Sequence, residues 1–526
     1  MTVPSVTGDA PEGLVEAVLA YEAALAADDQ EALAAFFVPA PDTLRADANG
    51  LLVGHDRITA FRGRRGGAGA REVRELRVRA FGDAAAHVVT VNAPASGGRG
   101  TVSQLWVRDE SAGWRIAAAH VTAPARAIDQ RVWRVVGAPL VAGAPDGPLA
   151  GETVAVKDLF AIAGHRIGVG VRAYLAESPL EHRTAPAVAA LVEAGADVVG
   201  IAQTDQFAYS IAGLNPDYGT PVNPAVPGAI PGGSSSGPAS AVALGQASIG
   251  LGTDTAGSIR VPASYQGLWG LRPTHGAVSL EGVAPLAPRY DTVGWLTRDG
   301  GTMLRAARVG LAGSGAARPS GGLRGGGART GDLVAAPGAM ASCADPVREA
   351  FDRAVERLVA AGRGVGAVEL PALEELLMTF RVTQSAEAWR SDGAWVDAHP
   401  GTLAPDVAAR FAWARDVTPE REAAALADAA RLAAALDHAL GDAVLLIPAA
   451  ASAAPALEAP DAELEERRQA TLGMTAIAGI AGRPALSVPL LVTPEGPVGL
   501  CLVGPKGSDL ALVELGLELE DHLARA

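Results

Sequence analysis

Apolar residues recur at helical spacing near the start of the chain and alternate with polar residues afterwards. The stretch Leu14–Phe37 predicts one amphipathic helix. Its apolar positions are Leu14, Val18, Tyr21, Leu25, Leu33 and Phe36. Four alternating stretches that follow are typical of strands joined by Gly- and Ser-rich turns. We place these strands at Glu72–Phe81, Ala85–Val91, Gly100–Arg108 and Trp114–Thr122. A helix packed on a curved antiparallel sheet is expected, an α+β domain over residues 1–126.

The pattern changes at about Ala127, where apolar strands begin to alternate with Ala-rich helices. This alternation predicts an α/β domain over residues 127–526, with a mixed sheet covered by helices on both faces. Within it, Gly313–Gly331 is rich in Gly, Ser and Arg and has no apolar period, which indicates a surface loop.

Composition excludes several functional classes. The 526 residues carry a formal net charge of −15, which disfavours nucleic-acid binding. The apolar runs are shorter than the roughly 20 residues that span a bilayer, so no membrane anchor is expected. No secretory signal is recognisable, and the two cysteines form neither a disulfide framework nor a metal-binding spacing. We therefore expect a cytoplasmic protein without metal or organic cofactor.

Lysine usage points to chemistry. Of the 43 Lys and Arg residues, only Lys157 and Lys506 are lysines. Lys157 interrupts the β-type run Gly151–Phe160, where a buried ammonium tends to lose its proton, with a pKa lowered by up to about 3–5 units. Arginine keeps its proton under such conditions. Lys157 is therefore a candidate base, against the alternative of an edge-strand lysine whose amine reaches water.

Two Gly- and Ser-rich segments supply hydroxyl groups. Ile230–Gly237 contains Ser234 and Ser235 and precedes an apolar helix. In Leu251–Ser264, small residues surround Ser258, so that consecutive backbone N–H groups are free to point at one spot, as in an oxyanion hole. Together with Lys157, these segments provide a nucleophile, a relay hydroxyl and a proton acceptor without a histidine.

These residues resemble the amidase signature family. The resemblance rests on Lys157, on Gly232-Gly-Ser-Ser235, on Gly252-Thr-Asp-Thr-Ala-Gly-Ser258-Ile-Arg and on Gly267-Leu-Trp-Gly-Leu-Arg-Pro-Thr-His-Gly276. It implies the amidase-signature α/β fold and a Ser–Ser–Lys triad acting through an acyl-enzyme. In that triad, Ser258 is the nucleophile, Ser234 the bridging serine after a cis peptide bond, and Lys157 the base.

The same resemblance implies further site residues. Backbone N–H groups of Thr255, Ala256, Gly257 and Ser258 would form the oxyanion hole, with Ser235 and Asp254 in support. Many family members have Gly where this chain has Ala256, and a methyl group is tolerated there if φ stays negative. The implied function is hydrolysis of an amide C–N bond of a small molecule, with release of ammonia or an amine.

Other interpretations compete with hydrolysis by this triad. Gly233–Gly237 also fits the GxSxG pattern of α/β-hydrolases, with Ser235 as nucleophile, but His275, His399, His438 and His522 lie in no recognisable catalytic turn. An amidotransferase-like subunit or a non-enzymatic scaffold is a further possibility.

The first domain resembles the cone-shaped α+β family of the nuclear-transport-factor-2-like (NTF2-like) type, and especially the small cone-fold protein of cyanuric acid breakdown. Leu19–Leu25, Thr43–Arg45 and Gly54–Arg62 carry this resemblance. It implies a pocket lined by Tyr21 and Arg45, and it implies a homodimer. The alternatives are a packed Tyr21, a surface ion pair of Arg45 and a domain that serves only for dimerisation.

The substrate stays open at this stage. Met378–Trp395, Leu446–Pro455 and Ala470–Ile480 are expected to shape the acyl pocket, and Arg289 is either a carboxylate ligand or an exposed charge. Small primary amides and carboxylated ureas such as allophanate or carboxybiuret both fit. In the second case the N-terminal pocket would take part in function.

Overall fold

The chain divides into two compact units, Met1–Ile128 and Asp129–Ala526. The computed structural model describes residues 4–47, 50–62, 71–94, 100–109, 113–122, 128–312 and 332–525. The sequence places the boundary between residues 126 and 127, two residues before the observed division. The predicted loop Gly313–Gly331 lies outside the described residues.

The N-terminal unit forms short helices and a seven-stranded sheet within its described residues. The helices are α1 Leu14–Ala27, α2 Gln30–Ala35 and α3 His55–Arg62. The strands are β1 Ser5–Thr7, β2 Leu44–Asp47, β3 Gly50–Val53, β4 Arg71–Ala80, β5 Ala85–Pro94, β6 Gly100–Asp109 and β7 Gly113–Thr122. The four predicted strands are present as β4 to β7, whereas the short strands β1, β2 and β3 were not predicted.

The sheet of this unit is mixed, with strand order β1-β4-β5-β6-β7-β2-β3. Strands β4 to β7 pair antiparallel with their neighbours, as predicted. The prediction of a purely antiparallel sheet is wrong, because β1 pairs parallel with β4 and β2 pairs parallel with β7. Residues from α1 pack on one face of the sheet, against Val88 and Trp106.

The predicted single helix Leu14–Phe37 is interrupted. Asp28 adopts a left-handed conformation with φ 54° and ends α1. Asp29 then caps α2, because its carboxylate accepts the Ala32 N–H at 3.0 Å. The apolar period continues across the break, which explains why the pattern alone predicts one helix.

The C-terminal unit is built on a larger mixed sheet flanked by helices. Its strands are β8 Trp133–Val141, β9 Thr153–Lys157, β10 Asp197–Ala202, β11 Ile249–Thr253, β12 Trp269–Arg272, β13 Val293–Thr297, β14 Leu333–Ala335, β15 Val365–Ala367, β16 Val444–Pro448, β17 Ala485–Thr493 and β18 Gly496–Val503. Its helices are α4 Arg172–Glu177, α5 Pro186–Glu193, α6 Ser236–Ala243, α7 Arg260–Gln266, α8 Gly300–Leu311, α9 Pro337–Met340, α10 Asp345–Ala360, α11 Leu373–Ala398, α12 Pro405–Arg415, α13 Pro419–Leu440, α14 Asp461–Ala481 and α15 Asp509–Arg525.

Strand order in this sheet is β15-β14-β16-β18-β17-β12-β13-β11-β9-β10-β8. The interior strand β9 contributes to two separate hydrophobic cores, because Val154 and Val156 pack in one and Ala155 packs in the other. Both faces of the sheet are therefore covered, as the apolar strand pattern predicts. In the described part of the chain, no helix is long and apolar enough to cross a membrane.

Candidate active site

The carboxyl ends of three neighbouring parallel strands bring polar groups together. Strand β9 pairs parallel with β10 and with β11, and it ends at Lys157. Lys157 is buried, and its Nζ donates hydrogen bonds to Ser234 Oγ and to Thr253 Oγ1, each at 2.8 Å. Thr253 is the last residue of β11. The alternative of an edge-strand lysine with its amine in water is therefore excluded.

Ser234 lies in the loop before α6, and the Gly233–Ser234 peptide bond is cis. The carbonyl oxygen of Ser234 accepts the hydroxyl of Thr204 at 2.9 Å, while its own hydroxyl faces Lys157. Ser258 lies just before α7, and its carbonyl oxygen accepts the Ser235 N–H at 3.2 Å. The structure thus brings Lys157, Ser234 and the Ser258 loop together. Within the described residues, the Ser258 hydroxyl makes no hydrogen bond.

Ser235 connects the two serine loops and the end of β11. Its hydroxyl donates to the Thr253 carbonyl oxygen at 3.1 Å and accepts the Thr253 N–H at 3.3 Å. The side chain is fully buried. A hydroxyl committed in this way is poorly placed to act as the nucleophile of the α/β-hydrolase alternative.

Asp254 organises the turn that carries Ser258. Its carboxylate accepts backbone N–H groups from Gly257, Ile259 and Arg260 at 2.9 to 3.3 Å. The Arg260 guanidinium adds bonds of 2.9 and 3.0 Å, and Arg272 bonds the same carboxylate at 3.2 Å. Burial opposes ionisation of Asp254, but the two arginines outweigh burial and hold its pKa below the ordinary value. Asp254 therefore fixes the loop as a buried anion.

The four N–H groups predicted to form the oxyanion hole differ in their hydrogen bonding. The Gly257 N–H is already donated to Asp254 Oδ1 at 2.9 Å, so it is not free for a substrate oxygen. In the described part of the chain, the N–H groups of Thr255, Ala256 and Ser258 have no protein acceptor. Ala256 is not among the residues with positive φ, so the replacement of Gly by Ala leaves the loop unstrained.

Gly257 has a separate structural reason to be glycine. Its φ is +109°, and a Cβ placed there would lie 2.8 Å from Thr475 Cγ2. Thr475, on α14, donates its hydroxyl to the Ala256 carbonyl oxygen at 2.8 Å. The loop therefore contacts α14, which contains Ala470–Ile480, one of the segments expected to shape the acyl pocket.

In the N-terminal unit, Tyr21 and Arg45 are both buried on the helix-covered side of the sheet. The Tyr21 ring meets Phe36, Phe37 and Trp106 edge-on, with ring centroids 5.7 to 6.3 Å apart. Tyr21 is thus packed against aromatic rings, as the alternative to a pocket-lining Tyr21 expects.

Arg45 is not a surface residue. Its side chain is only 5% exposed; Nη1 lies 2.8 Å from Asp47 Oδ2, and the guanidinium lies 4.5 Å from the centre of the Phe61 ring. The sheet register places Arg45 and Gln104 on either side of Ala119, and all three are buried. The interpretation as a surface ion pair is therefore wrong, because the pair is enclosed.

Arg289 is partly exposed and bonds Glu387 of α11. Its backbone N–H donates to Glu387 Oε2 at 2.8 Å, and its Nε lies 3.6 Å from Oε1. Both residues line a cavity of about 520 Å³ whose wall includes His275 and Lys506. Neither Lys157 nor the two candidate serines belong to that wall.

Comparison with known proteins agrees with this geometry. A family model described as Amidase matches residues 108–311 and 333–513, and one described as AtzH-like matches residues 9–126. The chain belongs to the amidase signature family. Members of this family in the comparisons support an amide C–N hydrolase, and the AtzH-like match identifies the N-terminal unit.

Three relatives of this amidase-family chain illustrate the similarity. Amidase 1 of Arabidopsis thaliana is 34% identical over 405 residues, covering 70% of this chain and 92% of the relative. A solved amidase structure has 31% identity and a TM-score of 0.66, covering 75% of this chain and 92% of the other. A solved complex described as revealing the evolutionary origins of an s-triazine catabolic enzyme has 27% identity and a TM-score of 0.64, covering 72% and 85%.

Electrostatics at the amidase-family site favour a neutral amine. Burial lowers the pKa of Lys157 from its ordinary 10.5 to about 7, although Asp205, Asp254 and Asp291 act in the opposite direction. A base with a pKa near 7 is suited to accept a proton at neutral pH. The physical reason for a lysine at this position is therefore its ability to lose the proton.

Sequence reasoning missed three residues around Lys157. Thr253 bonds its amine, Asp291 accepts the Thr255 hydroxyl at 2.6 Å, and Asp205 accepts the Gly213 N–H at 2.9 Å. Thr253 and Asp205 each lie at or just after the end of a strand that pairs with β9. Their position after strands could have predicted that they lie near Lys157, since the carboxyl ends of parallel strands meet at one sheet edge.

Proposed function

We propose that the protein hydrolyses the C–N bond of small amides through Ser258, Ser234 and Lys157, with an acyl-enzyme intermediate. One observation carries the proposal: the buried Lys157 amine donates to Ser234 Oγ at 2.8 Å, beside the loop of Ser258. The neutral form of that amine accepts a proton from the same hydroxyl.

The proposed reaction begins with two proton transfers. Neutral Lys157 takes the hydroxyl proton of Ser234, which takes the hydroxyl proton of Ser258. The Ser258 oxygen forms a bond to the amide carbon, and the carbonyl oxygen becomes an oxyanion that the N–H groups of Thr255, Ala256 and Ser258 stabilise. The proton then passes back to the amide nitrogen, which leaves as ammonia or an amine.

Water completes the cycle. It loses a proton to the same relay and attacks the ester of Ser258, which releases a carboxylic acid and restores the serine hydroxyl. If water alone suffices as acceptor, the protein is a hydrolase. If turnover requires another nucleophile, it is an amidotransferase-like subunit instead.

The test measures ammonia released from primary amides by the full chain. Ser258→Ala and Lys157→Ala should each lower turnover by at least about a thousandfold, since members of such a relay act as a unit. Lys506→Ala is the matched control, because it removes the second lysine of the chain. Near-normal turnover by either purified site variant would disprove the assignment.

A second candidate function concerns the AtzH-like unit, which we propose to be an NTF2-like cone with a ligand pocket. Arg45 is buried, and two further buried groups on the sheet, Asn92 Oδ1 and Gln104 Nε2, have no partner among the described residues. Gln104 lies on the strand beyond Ala119 from Arg45, and a buried guanidinium on the same sheet as such an unpartnered amide N–H suits a carboxylated, urea-like ligand.

Arg45→Met in the full chain tests this candidate. We expect loss of ammonia release from allophanate or carboxybiuret while hydrolysis of simple amides persists. Arg74→Met is the control, since Arg74 is an exposed arginine of the same sheet that pairs with Glu72. Equal activities of the Arg45 variant and wild type on carboxylated ureas would contradict a functional pocket.

A further inference from the structure

Asp205 is a fully buried carboxylate beside the proposed relay. It follows β10, whose last residue Ala202 pairs with Lys157 in the parallel register. Its Oδ2 accepts the Gly213 N–H at 2.9 Å, and its Oδ1 accepts the Ser236 hydroxyl at 3.1 Å. The proposed reaction assigns no role to this group.

The backbone at Ser234 is packed directly against Asp205. The Asp205 N–H donates to the Ser234 carbonyl oxygen at 3.4 Å, and the neighbouring Thr204 hydroxyl donates to the same oxygen at 2.9 Å. At Gly233, an added Cβ would lie 2.5 and 2.6 Å from the two carboxylate oxygens. Gly233 and Asp205 therefore interlock, and a displaced Asp205 would displace the loop of Ser234.

Asp205 also differs from the other acids that face Lys157. Three carboxylates act on the Lys157 amine, namely Asp205, Asp254 and Asp291. Asp254 is paired with Arg260 and Arg272. Asp291 accepts the Thr255 hydroxyl and the N–H groups of Leu286 and Ala287.

Asp205 forms no ion pair within the part of the chain that the structure describes. Burial raises its pKa, whereas the Gly213 N–H and the charge of Lys157 act to lower it. On balance the pKa of Asp205 is raised, and protonation of the nearby Lys157 amine favours its ionised form. Removal of Asp254 would leave two guanidinium groups without their partner, and removal of Asp291 would free the Thr255 hydroxyl, whereas removal of Asp205 does neither.

We propose that Asp205 is a positioning residue for the relay: it holds the Ser234 loop in place, and its negative charge sets the proton affinity of Lys157. This inference rests on the proposed function, in which neutral Lys157 is the base. Without the nearby anion, Lys157 would lose its proton at lower pH, because an opposite charge favours the charged form.

The first test compares pH profiles of kcat/KM for wild type and Asp205→Asn. Asparagine keeps the shape, and its amide oxygen still accepts the Gly213 N–H while its amide nitrogen donates to Ser236. We expect the acidic limb, where Lys157 becomes protonated, to move to lower pH by about one unit or more. Ser236→Ala is the matched control, since it removes a hydrogen bond to Asp205 but keeps the charge; its limb should not move.

The second test observes Lys157 directly. Because the chain has two lysines, selective ¹³Cε-lysine labelling gives two side-chain NMR signals, and Lys506→Arg assigns them. The Lys157 signal should titrate at lower pH in Asp205→Asn and in Asp205→Ser than in wild type. The two variants remove the same charge but differ in side-chain size, so the test still stands if one of them fails to fold.

The outcomes separate this inference from the proposed function. If Lys157→Ala is inactive but neither charge-removing variant shifts the Lys157 titration, Asp205 is merely structural and the inference is wrong. A wild-type Lys157 that titrates at its ordinary value of 10.5 also overturns it. If Lys157→Ala turns over amide normally, the proposed function fails, whatever Asp205 does to the titration.

Discussion

At the scale of single residues, the site depends on burying groups that prefer water. Lys157 is enclosed and mostly neutral at pH values above about 7, and Asp254 is enclosed and ionised. The difference lies in their partners, because Asp254 touches two guanidinium groups and Lys157 touches two hydroxyls. The two guanidinium groups thus keep Asp254 charged against burial, whereas burial leaves Lys157 free to lose its proton.

Burial of Lys157 predicts a pH-dependent cost to stability. Its pKa is about 7 in the folded protein and 10.5 in the ordinary state, so between these values the unfolded chain binds a proton that the folded chain does not. Wild-type stability should therefore rise with pH across that window. Lys157→Met abolishes the effect, so the melting temperature of this variant minus that of wild type should be largest near pH 7.

The measurement is thermal unfolding at several pH values between 7 and 10.5, with Lys506→Met as the matched control for loss of a half-exposed lysine. The difference between Lys157→Met and wild type should shrink steadily as pH increases. A difference that stays constant or grows with pH would show that Lys157 is not buried in its neutral form.

At the scale of elements, long patterned segments were predictable and short junctions were not. Strands β4 to β7 follow from alternation over ten residues each, and their predicted ends lie within three residues of the observed ones. Strands β1, β2 and β3 have three or four residues, too few for a period to emerge. The gap between α1 and α2 was missed because Asp28 and Asp29 interrupt the helical backbone conformation, while the helical spacing of the apolar residues continues across them.

The site shows the same division. The serines and Lys157 were found because their residue types are unusual in apolar surroundings and match family motifs. Asp205 and Asp291 were missed because their roles depend on contacts with segments distant in the sequence, such as Gly213 or Thr255. The use of the Gly257 N–H by Asp254 likewise depends on loop geometry rather than on residue type.

The cap of α2 gives a prediction at this scale. Asp29→Ala removes the acceptor of the Ala32 N–H and should lower the free energy of unfolding by about 1 kcal/mol. Urea unfolding followed by tryptophan fluorescence checks the change in the N-terminal unit, where Trp106 and Trp114 are buried. Asp28→Asn, which tolerates the left-handed conformation, should have a much smaller effect. Equal losses for both variants would contradict a capping role.

At the scale of the whole molecule, the homodimer implied by the N-terminal resemblance stays a prediction. Trp106 of β6 faces the core, whereas its neighbour Leu105 points to the other face of the sheet and is 38% exposed. We place the predicted contact with a second copy on the face that carries Leu105. Light scattering should therefore give twice the chain mass of 53.1 kDa, and Leu105→Arg should give the single mass with amide hydrolysis retained. A monomeric wild type would contradict the prediction.

Strand β9 packs into one hydrophobic core on each face of the sheet. This packing limits which residues of the protein can change when its substrate changes. Substitutions inside the strand disturb packing on one side or the other. Lys157 therefore lies on a strand that tolerates few changes. Helix α14 contacts the Ser258 loop from outside the sheet, because Thr475 donates to the Ala256 carbonyl oxygen. We therefore expect a change of substrate to come from substitutions outside β9, which leave the proposed base in position.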